Sequence, residues 1–183
     1  MTIPENLQDI MQKGTKEEKI AALESTSSIA DTRILETVIS IFDDSDIELR
    51  GEAFSALLLN NNDISETVLR GLKSQSKNIR GYSALVLANR NERKAIPEII
   101  QLTEDESAMV RSCAVGALGF LRASEAKSVI QKCIDDPNIE VKKSAIKSAI
   151  DIKDKSLLSK LDFLLQGTDP DIGKLIALAR NNL

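Results

Sequence analysis

The sequence predicts an all-α fold: a right-handed α–α superhelix of about six antiparallel helix hairpins, twelve helices in all, with no strand. Three observations predict it. An apolar residue followed by a basic one, then a run of small and apolar residues, recurs about every 31 residues. A second amphipathic pattern precedes each copy at the same period. The composition is 42% apolar but only 3% aromatic, with eight Gly and four Pro in 183 residues, which suits packed aliphatic helices and leaves few tight turns for a sheet.

The signature is clearest in "DESAMVRSCAVGALGFL", residues 105 to 121, where Arg111 follows Val110 at the head of an apolar helix. It recurs as "DIELRGEAFSALLL", "KNIRGYSALVLANR" and "IEVKKSAIKSAIDI". The anchors Leu49, Ile79, Val110 and Val141 are 30, 31 and 31 residues apart. One further step reaches Ile172, where Gly173 takes the basic position. One step back reaches "KEEKIAALES", where Lys19 takes it. Repeats at such a fixed period are the mark of a stacked array. A single domain, 1–183, follows, with units at about 4–30, 31–61, 62–91, 92–122, 123–153 and 154–183.

Each unit opens with a shorter helix, marked by Val38, Leu69, Ile100, Ile130 and Leu161 at steps of 30 or 31. Apolar residues three and four apart around these positions give one buried face. The connectors "DDSD", "KSQSK", "EDES" and "DDPN" supply Asp, Ser and Asn as N-caps for the second helix, and Pro137 and Pro170 stiffen turns. On the second helix, positions 0, +4, +7 and +8 from the anchor share one stripe. Val110, Ala114, Ala117 and Leu118 occupy it in one unit, and Leu49, Ala53, Ala56 and Leu57 in another. Alanines at that seam allow close helix approach.

A two-helix unit with an Asp turn followed by "VR…A…AL" resembles the short HEAT-like repeat of the phycobilisome-lyase type over about residues 4 to 182. Tetratricopeptide and ankyrin arrays have similar periods, but their signature residues are missing. The resemblance implies a ladder that ties the turn of one unit to the helix of the next. It would be built from Asp44, Arg50, Arg80, Asp105, Arg111, Asp136 and Lys142. The recurrence of these residues at the repeat period favours a structural role over a catalytic one. The resemblance also implies that the second helices line a concave groove. Positions +2, +6 and +9 would face it, small and apolar at the centre and basic toward the C-terminal end. The candidate partner-binding residues are Leu58, Leu85, Lys143, Lys147, Lys174 and Leu178 on this face, with Tyr82 and Phe120 at its edges.

The chain contains no histidine, which excludes Ser-His-Asp and Cys-His catalysis and histidine-bearing zinc sites. Deoxyhypusine hydroxylase, a relative with this repeat, uses His-Glu metal motifs that cannot exist here. No catalytic, cofactor-binding or metal residue is assigned. Cys113 and Cys133 read as packed thiols, and "NNND" at 60–63 as a capped turn. The formal charge of −4 disfavours general nucleic-acid binding. No membrane span is expected, and the opening "MTIPENLQDI" has no secretory pattern, so the expected location is cytoplasmic.

These readings converge on a non-enzymatic interaction module or scaffold for a protein or peptide partner, acidic if the lysines steer it. The alternatives, by fold analogy, are a bilin or cofactor lyase-like protein, a chaperone-type protein or, less favoured, a nucleic-acid binder. At the ends, Glu17, Glu18 and Glu24 should solvate the first unit. Leu175 and Leu178 should stay partly exposed beside Lys147 and Lys174, where self-association is also expected.

Overall fold

The computed structural model describes residues 3–160 and 169–183, with side chains from 6 to 159 and from 169 onward. Among the described residues there are eleven α-helices and no strand. The chain forms two compact units, Met1–Arg90 and Asn91–Leu183. Their boundary falls between the third and fourth sequence repeats. Leu161, the last of the first-helix markers, lies outside the described residues.

The N-terminal unit holds three hairpins: α1 (Ile3–Lys13) with α2 (Lys16–Glu24), α3 (Thr32–Ser40) with α4 (Ile47–Leu58), and α5 (Ser65–Gly71) with α6 (Lys77–Asn89). Their starts are chemically marked. Thr15 and Glu18 form a capping box at α2, and Asp31, Asp46 and Ser76 cap α3, α4 and α6. Between the helices Val38, Phe42, Ala53, Val68 and Leu87 are fully buried, as the period requires.

Helix ends buried in the stack need partners of their own. Two side chains supply them. Asn60 is buried, and its amide donates to the carbonyls of Thr26 (2.9 Å) and Ile29 (2.8 Å) in the preceding repeat. Its Oδ1 accepts from the Asn62 amide at 2.9 Å, so the "NNND" turn is also a clamp between hairpins. One repeat on, Arg90 Nη1 donates to the carbonyls of Leu57 (3.0 Å), Leu58 (3.3 Å) and Asn60 (2.7 Å), and Nη2 to that of Asn62 (2.7 Å). A guanidinium is well placed there, because the last turn of α4 carries partial negative charge.

The C-terminal unit contains α7 (Ile96–Leu102) with α8 (Ala108–Phe120), α9 (Lys127–Cys133) with α10 (Ile139–Asp151), and α11 (Pro170–Asn182). Pro97 sits in the first turn of α7 and Pro170 begins α11 behind its cap Asp169, where a missing amide costs nothing. The stripe Val110, Ala114, Ala117 and Leu118 is wholly buried, and Leu49, Ala53, Ala56 and Leu57 are buried in the other unit. Of the four anchors only Ile79 retains partial exposure. Helices α8 and α10 come close at Gly119, where a Cβ would lie 2.7 Å from Ser148 Cα. Ser148 Oγ donates to the Val115 carbonyl at 2.8 Å across the same contact.

Helices α8 and α10 end alike. Arg122 (φ 49°) and Lys153 (φ 60°) take the left-handed conformation 31 residues apart, and Asn91 (φ 59°) does so one period earlier. The Arg122 amide donates to Gly119 and the Ala123 amide to Leu118. The Lys153 and Asp154 amides bond Ile150 and Ala149 in the same way. This closes the helix in a Schellman motif, whose left-handed position normally favours Gly.

Two contrasts test this packing by urea unfolding. Gly119→Ala should lose about 1–3 kcal/mol through overpacking. Gly116→Ala, where a Cβ meets nothing within 4 Å, should gain about 0.5–1 kcal/mol from helix propensity. Arg90→Met should cost about 2–3 kcal/mol by stranding its carbonyls, with hydrogen-exchange protection lost first around the end of α4.

Candidate protein-binding surface

The recurrent basic residue does its local work on backbone oxygens. Arg50 Nη1 donates to the carbonyls of Asp44 (2.7 Å) and Ser45 (3.2 Å), Arg80 Nη1 to those of Ser74 and Gln75 (both 2.9 Å), and Arg111 Nη1 to those of Asp105 (2.9 Å) and Glu106 (3.2 Å). The turn aspartates close their own loops, since Oδ1 of Asp44, Asp105 and Asp136 accepts from the amide two residues on.

The inter-repeat rung runs opposite to the expected direction. It leaves the helix of one repeat and reaches the turn of the next. Arg111 Nε and Nη2 grip Asp136 at 2.8 and 3.0 Å, with both side chains mostly buried. Lys19 reaches Asp44 at 3.6 Å in the same relation. A wheel of one helix cannot show which neighbouring turn a long side chain meets. The corresponding position for Lys142 lies outside the described residues.

The candidate groove residues separate between the two units. In the N-terminal unit Leu58 and Leu85 are half-buried. Tyr82, expected at an edge, is committed to its own unit: its ring stacks on Phe42 at 5.1 Å and meets Phe54 edge-on at 6.5 Å. The aromatic partners came from positions outside the groove series, so the wheel gave no warning. The exposed large apolar residues described in this unit are instead Ile47 (73%), at the start of α4, and Leu59 (67%), at its C-cap.

In the C-terminal unit Phe120 (59%) and Leu178 (45%) are exposed. With Lys147 they line a cleft of about 740 Å³ formed by the ends of α8, α10 and α11. Leu175 is half-buried, as expected for the last helix. The basic end needs correction. Lys143 is held by Glu140 (3.2 Å), Asp169 (3.2 Å) and Asp171 (3.6 Å), and Lys174 by Asp171 (2.9 Å). Lys147 alone of the three is exposed without an ion pair among the described residues. Arg122 and Lys153 also line the cleft and were absent from the groove set. Their signal was the 31-residue spacing that they share with Asn91.

The +9 positions also depart from expectation. Ala88, Gly119 and Ile150 are buried, Gly119 directly against Ser148 of α10. Burial pushes both thiols, Cys113 and Cys133, up to about 11, so neither is an activated nucleophile. Among the described residues no acidic or cysteine cluster is arranged to hold a metal ion. None of their helices is long and apolar enough to cross a membrane.

A family model described as HEAT repeats matches residues 65–150. No curated protein matches the sequence. Solved structures match the whole fold. The complex of CpcE and CpcF of phycocyanin lyase from Nostoc sp. PCC7120 aligns at TM-score 0.71 and 18% identity, covering 82% of this chain and 99% of that one. An engineered protein aligns at TM-score 0.63 and 18% identity, covering 100% and 96%. A designed armadillo repeat protein in complex with peptide (KR)4 aligns at 0.57 and 18%, covering 100% and 99%. The fold is therefore an α-solenoid of the HEAT-like and armadillo kind.

The Arg111 guanidinium holds the Asp136 carboxyl below its ordinary 3.8. A depressed carboxyl stabilises the fold above the unfolded value and loses that contribution as pH falls through the folded one. Arg111→Ala should cost about 1–3 kcal/mol at neutral pH and reduce the loss of stability below pH 3.8. An unchanged melting temperature and acid profile would remove the rung's structural role.

Proposed function

We propose that this chain is a non-enzymatic protein- or peptide-binding module, acting in the cytoplasm. The observation that carries the reading is the C-terminal cleft, which leaves Phe120 and Leu178 uncovered beside unpaired cations. A large apolar side chain beside a polar, charged rim is the anatomy of a binding site. Solenoids suit this use because rigid hairpins hold such surfaces in register. The designed armadillo neighbour solved with a peptide supports it as a use to which such repeats are put. The absence of histidine and the two raised thiols leave the chain short of the usual nucleophiles and bases.

A second reading follows from the likeness to the CpcE and CpcF complex of phycocyanin lyase. In it the cleft would take a linear tetrapyrrole. The two readings part on a direct measurement. Panning a random 16-residue peptide library on the immobilised chain should enrich peptides that bind in solution with micromolar affinity, and addition of biliverdin should leave the pigment's absorbance unchanged. A library with no enrichment over bare matrix overturns the first reading. A red-shifted, protein-bound bilin band supports the second.

A further inference from the structure

We propose that the cleft at the ends of α8, α10 and α11 binds an acidic peptide segment bearing one large apolar side chain, with Arg122, Lys147 and Lys153 as its charge contacts. This rests on the protein-binding reading and specifies the partner's chemistry.

The charge balance of the cleft gives the sign. Three cations line it against one carboxylate, Asp151, in a chain whose formal charge is −4. Helix C-termini would oppose an anion through their carbonyl dipoles. Part of that opposition is met here, because Leu118, Gly119, Ala149 and Ile150 accept the amides of the two Schellman turns. The Asn182 carbonyl accepts Lys153 Nζ at 3.4 Å. Each full positive charge exceeds the roughly half charge of a helix end, and three cations face one carboxylate, so the lining favours an anion. Arg122 and Lys147 make no ion pair among the described residues, in contrast to Lys143 and Lys174 a short distance along the same helices. The apolar contribution comes from Phe120 and Leu178, each with about half its surface exposed. An anchor side chain between them would bury area, while carboxylates on either side meet the cations.

Backbone conformation is an independent pointer. Arg122 and Lys153 are held at positive φ, where a Cβ is disfavoured and Gly is the usual residue. Strain of this kind concentrates at ligand-binding positions. One period before Arg122 the same position is Asn91, a residue that tolerates the conformation. Both long cations line the cleft.

The test uses the full chain and three fluorescein-labelled 16-residue peptides: one with Glu and Asp flanking a single central Phe, its Lys and Arg counterpart, and the acidic peptide with Ser replacing that Phe. Anisotropy should show the acidic apolar peptide binding at least about 10-fold tighter than either control, and more weakly as salt rises. Lys147→Glu should weaken it about 10-fold with the melting temperature unchanged. Arg122→Gly is the discriminating variant. It should raise the melting temperature by a few degrees, by relieving the left-handed turn, and still weaken the peptide several-fold. Equal binding of the three peptides, or affinity unchanged in both variants, overturns the inference. Neutral or basic sequences enriched from the peptide library would also overturn it while leaving the protein-binding reading standing. A dimer by light scattering that dissolves in Lys147→Glu would make the occupant a second copy of this chain and overturn the peptide assignment.

Discussion

The interaction on which this structure depends is the pairing of helix ends. A helix of seven to thirteen residues leaves about four amides and four carbonyls unpaired at its ends, a large fraction of its backbone. In a stack of such helices many of those ends lie against a neighbour, away from water, where each unmet group costs on the order of 1–3 kcal/mol. The recurrent polar residues answer that need. Asp46, Ser76 and Asn138 cap helix starts, Arg50, Arg80 and Arg111 bind the carbonyls of the preceding turn, and Asn60 and Arg90 secure chain reversals between repeats. A basic residue at the head of a buried helix is thus less a charge in the core than a set of donors aimed at a turn.

The same constraint explains how much was legible in the sequence. The hairpin period and the buried stripe were readable because each repeats, and burial acts on every copy equally. Val110, Ala114, Ala117 and Leu118 fell where the wheel put them. Arg90 was not readable in this way, because the aligned positions in later repeats are Leu121 and Ile152. The rung from Arg111 to Asp136 was visible as residue types but not in direction, since direction depends on how one repeat stacks on the next. Tyr82 looked available because a wheel counts one helix, whereas its ring found Phe42 and Phe54 on two others.

Electrostatics separates residues that composition treats as one class. Lys143, Lys147 and Lys174 share a face in the sequence pattern. Asp169 and Asp171, at the start of α11, neutralise the first and last. Those aspartates are there for the helix: Asp169 accepts the amides of Asp171 and Ile172, and an acidic first turn suits the dipole. Capping α11 therefore removes two lysines from the surface charge at one end of the face. Lys147, a turn further along α10 from Lys143, lies beyond reach of the cap and keeps its charge for solvent or a partner.

Helix termination and surface charge meet at Arg122 and Lys153. The Schellman turns need a left-handed residue, and Gly there would relieve strain of about 1 kcal/mol at each site. Satisfying the helix end requires only the backbone of that residue, so the side chain is free to serve another purpose. Because the turn fixes the Cα–Cβ direction, a long cation placed there leaves the chain at a defined point, and Lys153 Nζ reaches the Asn182 carbonyl from it at 3.4 Å. A repeat array gains charged contacts at defined spacing in this way without altering the buried stripe. The period that packs the helices then also sets the distance between the charges at the rim.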